Sequence, residues 1–262
     1  MRIISVVIDF FGKPKKLFLV LLAISLVAYL IWSQTDNHIS AAVLILVGSC
    51  TVPVPVMNFL FSHLDYKGGI SAKELANVFM VGGAIGLIVA GFLEFNVHIT
   101  KTLGGDLAVG VIEEFAKIIF PLILFFRWQH KKLSDGILIG AASGMGFAVL
   151  ETIGKGLIVL NDGGNVGYTM LTRGFFTPFG HPAWTALICV FIWLQKSNGK
   201  AGIGQMIGIY LLAAVLHGIW DAANQLDIPD IATAALLLLI SIFTLSVLFL
   251  QFEKAERENN GV

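Results

Sequence analysis

Charge is scarce in this chain. Of 262 residues, 17 are basic and 17 acidic, 13% in all, while 56% are hydrophobic; a soluble domain carries roughly 25% charged residues. A chain this poor in charge cannot cover a water-exposed surface, which excludes an ordinary soluble globule and points to an all-α polytopic membrane protein. The formal net charge is zero, so the total suggests neither nucleic acid nor an anionic surface as partner, and membrane lipid is the expected surrounding. Cysteine is almost missing. Cys50 and Cys189 both lie in apolar stretches, which excludes a disulfide framework or a paired-cysteine metal site and leaves two small buried hydrophobes. Long polar stretches are missing too, so 1–262 reads as a single integral membrane domain.

Apolar runs divide the chain into about eight candidate spans, each near the roughly 20 residues a helix needs to cross the hydrocarbon. They cover 17–33, 39–61, 77–95, 106–127, 136–160, 178–195, 201–222 and 231–252. The first follows Lys13, Lys15 and Lys16 and has no small-residue cleavage site after it, as expected of an uncleaved helix, with residues 1–12 along the interface. Loop charges set the orientation. One side collects Arg2, Lys13, Lys15, Lys16, Lys67, Lys73, Arg127, Lys131, Lys132, Lys196, Lys200, Lys254 and Arg257, the other only Lys101 and Arg173; thirteen against two places both termini in the cytoplasm.

Against this background Glu113, Glu114 and Lys117 stand inside a spanning stretch, where charge is expensive and usually functional. Glu151, His181, His217 and Asp221 also fall within or at the ends of apolar runs. The topology puts all of them in the outer half. Glu113 and Glu114 lie roughly 10–12 Å below the outer end of their span at 1.5 Å per residue, Glu151 nine residues before its span emerges, His181 just inside an outer end, and His217 and Asp221 in the last turns of an outward span. Glu113 with Lys117 and His217 with Asp221 are each four apart, so each pair shares a helix face. Glu114 is about 100° round from Glu113, and both reach one pocket only if it lies between them. Two carboxylates kept dry and close favour one shared proton or compensation by Lys117, an arrangement suited to a general base.

Structural alternatives stand beside that reading: an ion cluster joining helices, a protonated Glu151 in an interhelical hydrogen bond, two satisfied histidines, and Asp221 as a helix cap. Lys155 is expected to snorkel or pair with a carboxylate. Trp32, Trp184 and Trp220 fit an interfacial aromatic belt. The pairs Gly82/Gly86, Gly140/Gly144 and Gly204/Gly208 read as surfaces for close helix packing, and Pro53 with Pro55 should break or kink the second span. A broken helix is also a transporter feature, so an ion-coupled carrier competes with an enzyme, although no inverted repeat is visible. A non-catalytic scaffold is the third class.

Four motifs in order now carry a resemblance. Glu113-Glu114-Phe115-Ala116-Lys117 resembles the EExxK motif of the PrsW family of intramembrane proteases, and Phe147 to Glu151 its FxxxE motif. Pro178-Phe179-Gly180-His181-Pro182-Ala183-Trp184-Thr185 is similar to its histidine-bearing helix, and His217-Gly218-Ile219-Trp220-Asp221 to its HxxWD motif. The resemblance covers about 106–222, the protease core, and nothing of it is seen in the first hundred residues. It implies a multi-pass endopeptidase of the bacterial inner (plasma) membrane, in the clan of the CAAX prenyl proteases. Its expected substrate is a single-span membrane protein resembling an anti-sigma factor, cut near the extracytoplasmic face.

On that resemblance Glu113 or Glu114 activates a water, and His181 and His217 stabilise the oxyanion or protonate the leaving amine. Asp221 orients His217, and Lys117 sets the carboxylate charge. Phe147 and Glu151 support the site. A variant makes the cofactor one zinc ion, with Glu114, Glu151, His181 and His217 as candidate ligands. There is no HExxH, so the choice between no cofactor and one zinc stays open.

Overall fold

The computed structural model describes residues 13–64, 69–100, 102–176, 179–198, 202–223 and 230–260, and among these the regular elements are all helical. The expected interfacial segment 1–12, the connection at 65–68, Pro178 and the loop charges Arg2, Lys67, Lys101 and Lys200 lie outside the described residues, as do the side chains of Lys196 and Lys254. Among the described residues each of the eight apolar runs is largely helical, the second as two helices. Six segments are long and apolar enough to cross a membrane, namely Pro14–Thr35, His38–Leu64, Ala72–Val97, Leu133–Asn161, Ile203–Ala223 and Ala235–Glu253. Leu103–Arg127 has the length but carries the charges in question, and the apolar helix His181–Gln195 is shorter. The protein is a multi-pass membrane protein.

The helices form two compact units, Met1–His63 with Ala148–Pro178 and Leu64–Phe147 with Phe179–Val262. In the smaller unit, α1 (Pro14–Thr35) stops at Asp36, whose left-handed backbone returns its N–H to the Trp32 carbonyl. Asn37 Oδ1 then accepts from the Ile39 and Ser40 N–H groups at 2.9 and 3.1 Å and starts α2 (His38–Cys50), meeting two of the donors that every helix start leaves unpaired. The expected break at the prolines is present. α2 ends at Cys50 and α3 (Pro53–Leu64) begins on Pro53, because proline is tolerated in a first turn and not in a helix interior. Ala28, Leu44, Ile45, Val166 and Met170 make this unit's core, with Trp32 packed against it.

One element here was not foreseen, α8 (Val166–Phe176), which follows α7 (Leu133–Asn161). Its eleven residues disappear in any window wide enough to detect a span, and it holds its place by burying Val166 and Met170.

In the larger unit a capping box, Ser71 with Glu74, opens α4 (Ala72–Asn77), which continues through a π turn at Val78–Gly82 into α5 (Gly83–Val97). The π turn was also unforeseen. It lies where the backbones touch: a Cβ on Gly146 would sit 1.8 Å from the Phe79 carbonyl oxygen. α6 (Leu103–Arg127) contains Pro121, which has no N–H to give the Lys117 carbonyl one turn back. The Ser143 hydroxyl donates to that carbonyl instead, at 2.7 Å.

α9 (His181–Asn198) and α10 (Ile203–Ala223) complete the surroundings of the site, followed by α11 (Asp230–Asn260). Gly82, Gly86, Gly140 and Gly144 all stand at close contacts, as expected, whereas no described residue lies within 4 Å of a Cβ placed on Gly204 or Gly208, which corrects that part of the expectation. The small-residue contact of α10 lies at its other end. A Cβ on Gly110 would come 2.2 Å from the Ala214 carbonyl oxygen, and one on Gly218 2.7 Å from the Leu107 Cα. Gly110→Leu is therefore expected to force α6 from α10 and to cost at least about 3 kcal/mol, more than ordinary overpacking, because the obstruction is backbone. Gly91→Leu, with nothing within 4 Å of the new Cβ, is the matched control. Thermal unfolding in detergent measures both, and equal midpoints would remove the glycine crossing as a determinant of the fold.

Candidate active site

The α6–α10 crossing sets the register of the site. Because Gly110 and Gly218 let the helices nearly touch, His217 comes level with the carboxylates that follow Gly110 by one turn. On the other side, Gly144 of α7 allows the first turn of α9 to approach, a Cβ there meeting the His181 carbonyl oxygen at 2.7 Å and Thr185 Oγ1 at 2.8 Å. Three backbone approaches thus deliver side chains from α6, α9 and α10 to one place.

At the centre is Lys117, fully buried. Its ammonium donates to Glu114 Oε1 at 2.8 Å, Glu113 Oε2 at 3.0 Å and His181 Nδ1 at 2.7 Å. Phe147 closes the fourth side, its ring centroid 4.3 Å from Nζ, a cation–π contact in a water-poor place. The question of how two adjacent carboxylates share one pocket is answered by the lysine between them. Because His181 Nδ1 accepts from an ammonium, the ring proton of neutral His181 resides on Nε2.

His217 is 1% exposed. Its Nδ1 is 3.0 Å from Glu114 Oε1, and its Nε2 is 3.4 Å from Asp221 Oδ2 and 3.5 Å from Glu113 Oε2. Either ring nitrogen can therefore hand a proton to a carboxylate. Glu114 has no exposure and is also approached by the Thr185 hydroxyl at 3.3 Å. The two glutamates differ in burial: the Glu113 side chain keeps 9% exposure and Glu114 none, while Asp221 keeps 30%, so the cluster is open on the Glu113 and Asp221 side.

Three residues have surroundings that the sequence did not show. Trp184 is not part of an interfacial belt: it is completely buried, stacks on the His217 ring at 5.0 Å, meets His181 edge-on at 5.7 Å, and donates from Nε1 to Thr244 at 3.2 Å. It fixes both imidazole planes. Thr185 was quoted within a motif without a role, and its signal was its place one turn after His181 on the same face. Glu151 belongs to the smaller unit, where its carboxylate meets Lys155 Nζ and Arg173 Nη2, each at 2.6 Å. Lys155 thus pairs with a carboxylate, as expected. Phe147 and Glu151 of the FxxxE motif consequently fall in different units.

Among the described residues, Glu113, His181 and His217 are the set able to hold a metal ion, their donor atoms lying within 4.8 Å of one another. This set contains Glu113 in place of the expected Glu114, whose oxygens are occupied by Lys117, His217 and Thr185. His217 Nε2 and His181 Nδ1 stand 3.5 and 3.9 Å from Glu113 Oε2. Two imidazoles and a carboxylate are donors that suit a divalent metal, and an ion with ligand bonds of about 2.0–2.2 Å would draw the three closer than they stand with Lys117 between Glu113 and His181.

The profile of the PrsW family of intramembrane metalloproteases matches residues 71–249. The chain belongs to the PrsW family. It is accordingly an intramembrane protease, and the carrier and scaffold readings give way to an enzyme of that class. The match corrects the extent of the resemblance read from the motifs: it begins at Ser71, the N-cap of α4, and runs into α11, where Thr244 supports Trp184. No curated protein and no solved structure matches the chain.

Proposed function

We propose that this PrsW protein hydrolyses a peptide bond of a single-span, anti-sigma-factor-like membrane protein near the extracytoplasmic face of the inner membrane, with Glu113 activating the water. The observation that carries the proposal is the buried cluster of Glu113, Glu114, Lys117, His181 and His217, with Glu113 at its exposed edge. Apolar runs support about eight spans and loop charges support cytoplasmic termini, and on that topology the cluster lies in the outer half.

In this reading Glu113 takes a proton from the attacking water, and its neighbour Glu114 stays ionised against Lys117 and holds His217 through Nδ1. His181 Nε2–H donates to the oxyanion that develops on the scissile carbonyl, its direction fixed because Nδ1 is held by Lys117. His217 Nε2 delivers a proton to the leaving amine, oriented by Asp221. Trp184, stacked on one ring and edge-on to the other, holds the two imidazoles nearly perpendicular. A metal ion held by Glu113, His181 and His217 would supply Lewis acidity and lower the pKa of its bound water to about 7.

Purified protein in proteoliposomes with candidate single-span substrates tests the function. New peptide termini found by mass spectrometry are expected; ion flux or binding without new termini would refute proteolysis. Exhaustive chelation separates this route from a metal-bound one in which Glu113 and His181 would be ligands: a loss of cleavage restored by added zinc would replace the Glu113 base by metal-bound water. Full activity in metal-free protein would take the metal out of the mechanism and leave the carboxylate route.

A further inference from the structure

The Lys117 ammonium and the donor set for a metal overlap. Lys117 Nζ holds Glu113 Oε2 at 3.0 Å and His181 Nδ1 at 2.7 Å; these two atoms stand 3.9 Å apart, with His217 Nε2 3.5 Å from the same Glu113 oxygen, within the residues of the candidate metal set. A carboxylate oxygen has two lone pairs and can serve two partners. An imidazole nitrogen has one. His181 Nδ1 therefore cannot accept from Lys117 and ligate a metal through that atom at once. Two cations also repel strongly at such separations where no water screens them.

We infer that Lys117 and a divalent metal ion are alternative occupants of one cation site, so that metal binding through His181 Nδ1 requires the ammonium to leave Glu113 and His181. This rests on the reading of Glu113, His181 and His217 as metal ligands. It gives Lys117 a second role: the lysine is a built-in cation that keeps the acidic cluster folded and compensated without metal, and it weakens metal affinity by occupying two of the three donors. The small exposure of the Glu113 and His181 side chains, 9% each, is the route by which an ion arrives. Glu114, wholly buried and 2.8 Å from Nζ, remains as the anchor for a displaced ammonium.

Cobalt(II) titration of metal-free protein in detergent, followed by visible absorption, tests this without reference to cleavage. Lys117→Met is expected to bind Co²⁺ at least ten-fold more tightly than the unaltered protein, and Co²⁺ should raise its unfolding temperature by more than it raises that of the unaltered protein. The double variant Glu114→Gln/Lys117→Met keeps all three donors and makes the same measurement if the single variant does not fold. Equal or weaker binding by the lysine variants overturns the inference. So does binding that survives His181→Ala, which would place the ion elsewhere. Absence of binding by every protein overturns it as well, while water activation by Glu113 would still be judged by cleavage alone.

Discussion

Glu113→Gln is expected to lower the rate of substrate cleavage by about 10²- to 10⁴-fold, the range that a positioned general base contributes, while leaving the unfolding temperature nearly unchanged. The amide has the shape of the carboxylate and can still accept from Lys117 through its oxygen, but it cannot take a proton from water. Glu114→Gln should behave differently. Glu114 is wholly enclosed by Lys117, His217 and Thr185, so its loss disturbs both the lysine and the imidazole and should change stability along with rate. Counting new peptide termini per unit time in proteoliposomes, beside thermal unfolding of the same samples, separates the two. Cleavage retained by both single variants would end the general-base reading.

The second large effect is on stability. Lys117→Met removes the cation from between Glu113 and Glu114 and leaves buried carboxylates without compensation, a change that typically costs about 3–5 kcal/mol. Removing one carboxylate as well, in Glu114→Gln/Lys117→Met, should recover a good part of that loss, because the charge that was stranded is gone. The comparison is made on metal-free protein by thermal or denaturant unfolding in detergent. If Lys117→Met is as stable as the unaltered protein, the lysine does not hold the cluster together.

Legibility differed from helix to helix. The described parts of all eight apolar runs are largely helical, since length and hydropathy are local properties and backbone groups in lipid leave few alternatives. The break before Pro53 was equally local. The short helix Val166–Phe176 escaped because it is held by burying Val166 and Met170 against other helices rather than by its own pattern. The π turn at Val78–Gly82 escaped because nothing in its five residues marks it; its position agrees with the touching backbones at Phe79 and Gly146. Gly204 and Gly208 had the same spacing as the glycines that do pack, so spacing alone could not separate a contact surface from an open one.

By itself the sequence determined that this is a multi-pass helical membrane protein of the PrsW family and which polar side chains sit inside its spans, because hydropathy, spacing and motif order are written along the chain. Only the tertiary structure decided which of them meet. That Lys117 bridges both glutamates and reaches His181, that Glu113 alone of the pair keeps some exposure, that Trp184 backs the histidines instead of facing the interface, and that Glu151 is held by Lys155 and Arg173 all depend on neighbours. A helix period tells which side of its own helix a residue occupies and is silent about what lies opposite; here that was set by the close backbone approaches at Gly110, Gly144 and Gly218.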